Sequence, residues 1–322
     1  MVAIDKILNP WCLVCAAKDL TPGKIVPVQV NEQAMVIFRG TGGEVYALEA
    51  HCSHLGTHLK NGQVIHDTIQ CPLHHWRYSG STGNKVEADC RKTKCSARQR
   101  TYPVKEVFGC IFVASCADPP ATLPVLDIFP PNGYLTQMGK SVELNCNWVA
   151  VAANGFDMQH LQSVHKRKLL KEPVIREIET GVLELKMEVG IIGDSLSEKL
   201  LKFISGNKVS IQVRSYAGNI VTIESKAGKT QSALMLSFLP SKHEGVVITP
   251  IYIVPKKRFR IYNIIRLKVT SWLFYAFIKK DISIMDAMHF LPQAVTEQDR
   301  VLLHYLKFIQ TLTPHNHEND AV

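Results

Sequence analysis

The segment Cys52-Ser-His54-Leu-Gly is followed by the segment Cys71-Pro-Leu-His74-His-Trp, and sixteen residues separate His54 from Cys71. Each segment places a histidine two or three residues after a cysteine. Two thiolates can hold one iron and two imidazoles another, so a mixed pair on each of two loops suits a [2Fe–2S] cluster. The spacing therefore predicts an iron–sulfur site built by Cys52, His54, Cys71 and His74.

Zinc is the alternative occupant, because two cysteines and two histidines also suit a structural zinc site. Zinc fingers usually place both histidines on one helix, whereas here each loop mixes one cysteine with one histidine. The mixed loops favour the cluster. His75 adds an ambiguity about which adjacent histidine binds, and the Cys-x-x-His spacing selects His74.

A second candidate site follows in Asn154-Gly-Phe-Asp157-Met-Gln-His160-Leu-Gln-Ser-Val-His165. Two histidines and a remote carboxylate form the facial triad that holds ferrous iron and leaves positions open for dioxygen. His160 and His165 diverge by about 140° on a straight helix, so the pattern predicts a π-bulge or a helix end between them. A polar helix with two solvated histidines is the alternative.

The apolar pattern divides the chain into two parts. Short strand-like runs and turns fill residues 1–117, a proline-rich linker covers 118–131, and longer segments fill 132–322. The predicted strands are 11–17, 28–30, 34–39, 45–50, 107–114, 182–189, 210–214, 220–225, 233–238 and 246–254. Helices are predicted over 154–170 and from about 282 through 309. These elements predict an α+β protein with a mainly antiparallel second sheet.

The composition narrows the class of protein. The 322 residues carry a net charge of +9, with basic runs at 166–168 and 256–258. The basic residues are not interleaved with an aromatic repeat, so we expect no nucleic-acid partner. Every stretch of 18 residues contains a charge, so we expect no transmembrane helix. Nine cysteines are an odd number, which argues against a disulfide framework and favours the cytoplasm.

These motifs resemble the oxygenase component of the Rieske-type non-haem iron oxygenases, with the demethylase, monooxygenase and steroid-hydroxylase branches nearest. The resemblance spans essentially the whole chain. Ser53 stands where the family usually has proline, and His75 where it has glycine. Respiratory Rieske proteins have a disulfide clip, but Thr57 and Leu73 occupy its positions here. Trp76 replaces a serine that hydrogen-bonds the cluster in that type, which implies a lower reduction potential.

The resemblance implies an all-β Rieske domain over 1–117 and a helix-grip catalytic domain over 132–322, with an antiparallel sheet flanked by helices. It implies that His160, His165 and a later aspartate hold a mononuclear Fe(II). Asp299 is our choice, since the segment 297–299 matches the Glu-x-Asp that the family has before an apolar helix. The alternatives are Asp281, Asp286 and Glu297. Asn154 is expected close to the iron.

The implied reaction uses O₂ to hydroxylate or demethylate a small hydrophobic substrate containing a ring, with NAD(P)H as the ultimate donor. The chain has no Gly-x-Gly-x-x-Gly fingerprint, so a separate reductase, with or without a ferredoxin, is expected. The resemblance also implies a homotrimer in which Asp157 bridges the cluster of one subunit and the iron of the next.

Three alternatives stay open. The protein can be a sterol hydroxylase or desaturase, with residues 246–278 lining an apolar tunnel or touching a membrane, although packing in the core is favoured for that stretch. It can be an electron carrier or redox sensor with an inactive second site. It can also be an oxygenase-like assembly protein that binds a partner.

Overall fold

The computed structural model describes residues 9–30, 33–86, 97–119, 123–127, 133–241, 245–286, 288–290 and 299–312. The chain divides into two compact units, one comprising Pro10–Pro120 with His317–Val322 and the other Met1–Asn9 with Ala121–Asn316. The predicted linker lies partly outside the described residues, so the predicted domain boundaries stay predictions. The described helices include none that is long and apolar enough to cross a membrane.

The unit that begins at Pro10 is built from short antiparallel strands. Its described strands form sheets of order β1-β11-β10, β2-β3-β4-β9 and β5-β6-β7-β8. The strands are β1 Trp11–Ala16, β2 Ile25–Val30, β3 Gln33–Arg39, β4 Val45–Glu49, β5 Gln63–Ile65, β6 Thr68–Gln70, β7 Arg77–Ser79, β8 Lys85–Val86, β9 Thr101–Tyr102, β10 Val104–Val107 and β11 Cys110–Ala114. The all-β expectation for this part is confirmed.

One strand prediction in this unit is wrong. We expected a single strand over 107–114, but β10 and β11 form a hairpin that turns at Phe108 and Gly109. Both turn residues have positive φ, 54° and 67°. This is the conformation that matches the twist of a two-residue hairpin. Glycine accounts for one of the two positions, and phenylalanine gives no signal for the other.

The second unit contains one large antiparallel sheet, which the described residues build in the order β12-β20-β19-β18-β17-β16-β14, with β13 beside β20 and β15 beside β16. Its strands are β12 Tyr134–Met138, β13 Val142–Leu144, β14 Arg167–Leu169, β15 Val174–Glu179, β16 Val182–Ile191, β17 Lys208–Tyr216, β18 Ile220–Ala227, β19 Thr230–Pro240 and β20 Val246–Pro255. The five long strands coincide with the predicted ones.

Helices accompany this sheet, and they differ from the predicted helices. They are α1 Trp148–Ala153, α2 Met158–Ser163, α3 Leu196–Ser205, α4 Arg260–Met285 and α5 Arg300–Thr311. The predicted helix over 154–170 is a 3₁₀ turn followed by the short α2 and then β14. The predicted helix over 282–309 covers only the end of α4 and most of α5. The α+β class with an antiparallel sheet and helices is confirmed.

Two apolar clusters position the candidate sites. In the first unit, buried side chains of β3, β4 and β6 pack around Cys52, Cys71 and Tyr78. In the second, the sheet packs against α1 and α5, where the Phe156 ring stacks on Tyr305 with centroids 4.3 Å apart. The first cluster therefore includes both cysteines of the iron–sulfur motif, and the second supports the chain just before the histidines.

Candidate metal centres

The two cysteine–histidine loops have the same backbone frame. In the first, the Cys52 N–H donates to the Thr57 carbonyl (2.9 Å) and the Gly56 N–H to the Cys52 carbonyl (2.8 Å). In the second, the Cys71 N–H donates to Trp76 (2.8 Å) and the His75 N–H to Cys71 (3.2 Å). In each loop, backbone hydrogen bonds therefore join the cysteine to the residues four and five positions after it.

These matching hydrogen bonds show which backbone conformation is required at His75, where the family usually has glycine. Gly56 and His75 occupy equivalent loop positions, and both have left-handed backbone, with φ of 75° and 56°. Such a conformation costs a residue with a Cβ about 1–2 kcal/mol and glycine much less. His75 is exposed and is therefore a strained loop residue beside the candidate ligand His74.

The variant His75→Gly is expected to raise the free energy of unfolding of the first unit by about 0.5–1 kcal/mol. Relief of left-handed strain outweighs the roughly 0.5–1 kcal/mol that glycine loses in unfolded-chain entropy. Denaturant unfolding followed by cluster absorbance measures the change. Gly56→Ala is the matched control, because nothing lies within 4 Å of an added Cβ there and only strain is introduced. It should be destabilised; a stabilised Gly56→Ala would contradict the reasoning.

The cysteines and histidines of the two loops differ in exposure. Cys52 and Cys71 are buried, whereas His54 and His74 are exposed and their ring centroids lie 4.7 Å apart. Two buried thiolates and two exposed imidazoles suit a [2Fe–2S] cluster whose histidine-bound iron lies nearer the surface. The donor set present therefore fits the cluster.

Sequence reasoning missed two residues that support these loops. The Tyr78 hydroxyl lies 3.1 Å from Cys52 Sγ and 3.1 Å from Ser53 Oγ. Buried Gln99 accepts from the Ser53 N–H and donates to the His51 carbonyl. Tyr78 thus gives a sulfur a hydrogen-bond partner, which works against the lower potential expected from Trp76. In the sequence, the available signal for Tyr78 was a tyrosine two residues after Trp76, where the second loop ends.

Trp76 contacts a candidate ligand through its ring. The His54 imidazole stacks on the Trp76 indole with centroids 4.0 Å apart, and the Lys85 Nζ lies 3.7 Å from the indole centroid on a cation–π contact. A cation on the ring and a stacked imidazole together fix the orientation of His54. The predicted role of Trp76 at the cluster site stays a prediction, and its position beside His54 supports it.

The second candidate site forms where α2 ends. Asp157 is the N-cap residue of α2, and its carboxylate accepts a hydrogen bond from the His160 N–H at 2.9 Å. α2 ends at Ser163, so His165 lies beyond the helix, just before Lys166 with its positive φ of 53°. The chain therefore turns between the two histidines and brings their rings together. Of the two expected distortions, the helix end is the one that occurs.

Three potential ligand atoms converge there. His160 Nε2 lies 3.1 Å from His165 Nε2, and each of these nitrogens lies 2.9 Å from Asp281 Oδ1. Asp281 lies on α4. Two imidazole nitrogens and one carboxylate oxygen pointing at a common position form the donor set of a two-histidine, one-carboxylate iron site. The residues present therefore fit a mononuclear ferrous ion.

The electrostatics of this site favour the ligand forms of the side chains. Burial lowers the pKa of His165, although Asp281 opposes that shift. Burial acts to raise the pKa of Asp281, but hydrogen bonds from both histidines outweigh it and the pKa is lowered. A neutral imidazole and an ionised carboxylate are the forms that bind metals.

The orientation of His165 depends on stacking. Its ring lies on Phe277 of α4 with centroids 3.5 Å apart and an interplanar angle of 7°. Its Nδ1 is buried and has no hydrogen-bond partner within the part of the chain that the structure describes. Metal-bound histidines usually donate this N–H to a neighbouring acceptor. Here Phe277 takes over the positioning of the ring.

The structure does not place Asp299, the predicted third ligand, with the two histidines. Asp299 precedes α5 and its carboxylate accepts from Gln159 Nε2 at 2.6 Å. Asp286 accepts from the Asn145 backbone and side chain, at 3.0 and 3.2 Å. Glu297 lies outside the described residues. Asp281, one of the stated alternatives, is the carboxylate that meets the histidines. Phe277, which stacks on His165, lies four residues before Asp281 and therefore on the same face of α4.

Asn154 lies near this site. Its side-chain amide donates to Met285 Sδ at 2.7 Å, and the residue lines a cavity of about 380 Å³ together with His165 and Asp281. Most of the cavity wall is apolar and comes from the sheet strands, α3 and α4. Ligand pockets typically enclose roughly 300–1,000 Å³. Two of the three candidate iron ligands, His165 and Asp281, therefore line an apolar pocket of ligand size.

A buried charged network supports this wall. Glu198 of α3 contacts Arg167 at 3.6 Å and Lys280 at 3.0 Å. Burial would raise the pKa of Glu198, but hydrogen bonds from Ser195 and Lys280 outweigh it and lower the pKa to about 2. The ionised carboxylate thereby links α3 to the strand that follows His165 and to the helix that carries Asp281.

Comparisons with known proteins agree with these observations. Residues 10–103 match the Rieske [2Fe–2S] domain. A probable 3-ketosteroid-9-alpha-monooxygenase, oxygenase component, from Rhodococcus rhodochrous is 32% identical over 167 residues, 50% of this chain and 42% of that protein. Cholesterol 7-desaturase from Caenorhabditis elegans is 30% identical over 166 residues, 49% of this chain and 39% of that protein. Each match spans less than half of the relative's length.

The fold has a counterpart among solved structures. Dicamba monooxygenase bound to dicamba aligns with 95% of this chain and 97% of its own, at a TM-score of 0.70 and 19% identity. At this identity the likeness shows the fold. With the matched domain and the sequence relatives, it confirms the resemblance drawn from the motifs. Residues 10–103 therefore match a Rieske [2Fe–2S] domain, and the chain has the fold of dicamba monooxygenase.

Proposed function

We propose that this chain is a terminal oxygenase that uses O₂ to hydroxylate or demethylate a hydrophobic substrate containing a ring, with electrons from a separate reductase. One observation carries the proposal. The ligand atoms of His160, His165 and Asp281 converge, and His165 and Asp281 line an apolar cavity of about 380 Å³. A metal at that position would face the cavity.

The residues have distinct roles in this proposal. Cys52, His54, Cys71 and His74 hold the [2Fe–2S] cluster, and the triad of His160, His165 and Asp281 holds Fe(II). When bound, the cluster supplies electrons and the ferrous ion supplies open positions for O₂. Phe277 fixes the plane of the His165 ring. Asn154 shapes the wall beside the triad.

The cavity wall supports a substrate class. Leu234, Phe274 and Ile278 belong to a buried apolar cluster between the sheet and α4, and all three line the cavity. An apolar wall favours an apolar molecule, because transfer out of water drives binding. The names of the sequence relatives point to steroids and sterols. We therefore propose a polycyclic steroid or sterol as the first class to test.

Product analysis tests this function. Iron-replete protein is incubated with NADH, a surrogate reductase and a panel of steroids, sterols, methyl ethers and smaller ring compounds, and products are identified by mass spectrometry with ¹⁸O₂. We expect one class to gain oxygen from ¹⁸O₂ or to lose a methyl group. Asp281→Ala serves as the control without a complete triad. NADH oxidation without product across the panel would contradict the proposal and favour the electron-carrier alternative.

A homotrimer with Asp157 at the subunit interface is part of the proposal, because the family resemblance implies it. Within this chain Asp157 caps α2, and asparagine caps helices equally well. Asp157→Asn should therefore keep the stability and both metal sites, and lose turnover by about 10–100-fold, the usual range for residues that support metal ligands.

Two measurements check this prediction. Single-turnover kinetics of Asp157→Asn report on the lost charge, and light scattering reports the oligomeric state. Asp157→Ala is the control for the cap, since it should also lose about 0.5–2 kcal/mol of stability. Full turnover in Asp157→Asn would rule out a bridging role, and a fully active monomer would rule out the trimer.

A further inference from the structure

Helix α4 has an apolar face that the described part of the chain leaves exposed. Ile261, Ile265, Trp272 and Tyr275 follow one another at intervals of four, seven and three residues, so they share one side of the helix. Ile261 is 75% exposed and Ile265 54%. Phe259, just before the helix, is 69% exposed. Large apolar side chains exposed in a row mark an interaction surface.

The opposite side of the same helix is already packed. Leu267, Phe274 and Ile278 lie against Leu234 and Tyr252 of the sheet. A helix that is apolar on both sides is normally buried or lies in a membrane. Because α4 uses only one side for its own core, the exposed side is available for a surface that accepts apolar groups.

The loop before α4 and the first turns of α4 carry only positive charge. The stretch 256–268 contains Lys256, Lys257, Arg258, Arg260, Arg266 and Lys268, and it contains no acidic residue. Within the described residues, none of these six side chains forms an ion pair. Exposed apolar side chains bordered by cations can bind an anionic membrane, because the apolar groups enter the interface and the cations attract anionic headgroups.

The wall of the cavity includes residues of this surface. Tyr262, Ile265 and Arg266 line the cavity, and Tyr262 and Ile265 are also exposed. On α3, Leu201 and Ile204 line the cavity, and Phe203 between them is 88% exposed. The apolar surface therefore borders the pocket that contains the candidate iron ligands.

We propose that the N-terminal half of α4 and the loop before it dock on an anionic membrane, with the helix lying in the headgroup plane. Phe259, Ile261 and Ile265 enter the apolar boundary, while the cations contact anionic headgroups. The part of the cavity wall formed by Tyr262 and Ile265 then lies next to the lipid, so that a hydrophobic substrate enters from the bilayer; the entry of substrate rests on the proposed function.

Vesicle binding tests the docking without any turnover. The full-length holoprotein is sedimented with phosphatidylcholine vesicles with and without phosphatidylserine, at low and high salt. We expect binding that requires phosphatidylserine and weakens with salt. Each cation near the surface contributes about fivefold to partitioning. The triple variant Lys256→Ala/Lys257→Ala/Arg258→Ala should therefore partition about a hundredfold more weakly.

Matched variants separate local docking from general charge. Lys18→Ala/Lys60→Ala/Lys140→Ala removes the same charge from other exposed positions and should bind nearly as well as the unaltered protein. Phe259→Ser/Ile261→Ser should lose binding while keeping every cation. Equal losses in both triple variants, or no preference for phosphatidylserine, would overturn the proposal.

Two other occupants of this face are distinguishable. If a second copy of the chain covers it, Phe259→Ser/Ile261→Ser changes the mass measured by light scattering. If an acidic reductase covers it, the Lys256→Ala/Lys257→Ala/Arg258→Ala variant raises the Kd for the reductase, while vesicle binding is absent in every variant. Either result overturns the membrane proposal, and neither depends on whether product is formed.

Discussion

Replacing Asp281 by alanine is expected to remove the mononuclear iron and leave the cluster spectrum unchanged. Asp281 Oδ1 lies 2.9 Å from Nε2 of each histidine and supplies the single carboxylate of the triad. Two imidazoles alone are a weak set for Fe(II), which prefers two histidines with a carboxylate. Iron content should therefore fall by one atom per chain, and product formation should fall to background.

The controls for this experiment come from the other carboxylates. Asp299→Ala and Asp286→Ala should keep their iron, because these side chains bond Gln159 and Asn145 away from the histidines. Asp281→Asn preserves the shape of the side chain and removes the charge, so it should bind iron weakly. Retention of iron in Asp281→Ala together with its loss in Asp299→Ala would restore the original choice of ligand.

The local motifs could be predicted from sequence because their spacing is short. Each cysteine–histidine pair lies within one loop, and a loop that closes over four or five residues leaves few arrangements for its ligands. The pair of His160 and His165 was also predictable, including the break in the helix. Two residues that are five positions apart do not share one face of a regular helix. Strands β16 to β20 were predictable from long apolar runs.

The third ligand was not predictable in the same way. Asp281 is separated from His165 by more than a hundred residues, and its position depends on how α4 packs on β20. The predicted helix began near Ile282, so Asp281 was placed outside it. α4 is apolar on both sides and therefore lacks the clear period of an amphipathic helix. Placing Asp281 beside the histidines therefore requires the tertiary packing of a helix that the sequence pattern does not reveal.

The backbone strain at His75 shows a second limit of prediction from the sequence. The sequence indicated that histidine stands where the family usually has glycine, but it did not reveal what the backbone requires there. The matched hydrogen bonds of the two loops show that the position needs a positive φ, as Gly56 does. A histidine tolerates that conformation at a cost, so the loop keeps its form and its ligands.

The variant Cys71→Ser is expected to lose the cluster and much of the stability of the first unit. Cys71 is almost fully buried in the apolar cluster that includes Cys52 and Tyr78. A serine hydroxyl is a poor replacement for a thiolate, and ligand binding is coupled to folding of the loops that supply it. The brown colour and the reduced-cluster EPR signal should disappear, and the unfolding midpoint of this unit should fall.

Burial and ligation must be separated, because a buried serine is itself unfavourable. Cys110→Ser in β11 provides the match: Cys110 is equally buried in the same unit, and it belongs to neither cysteine–histidine loop. It should be destabilised by the buried hydroxyl and still contain the cluster. Equal cluster loss in both variants would mean that the cluster depends on general stability. A colourless parent protein with stoichiometric zinc would overturn the assignment, because it would show that these loops hold zinc.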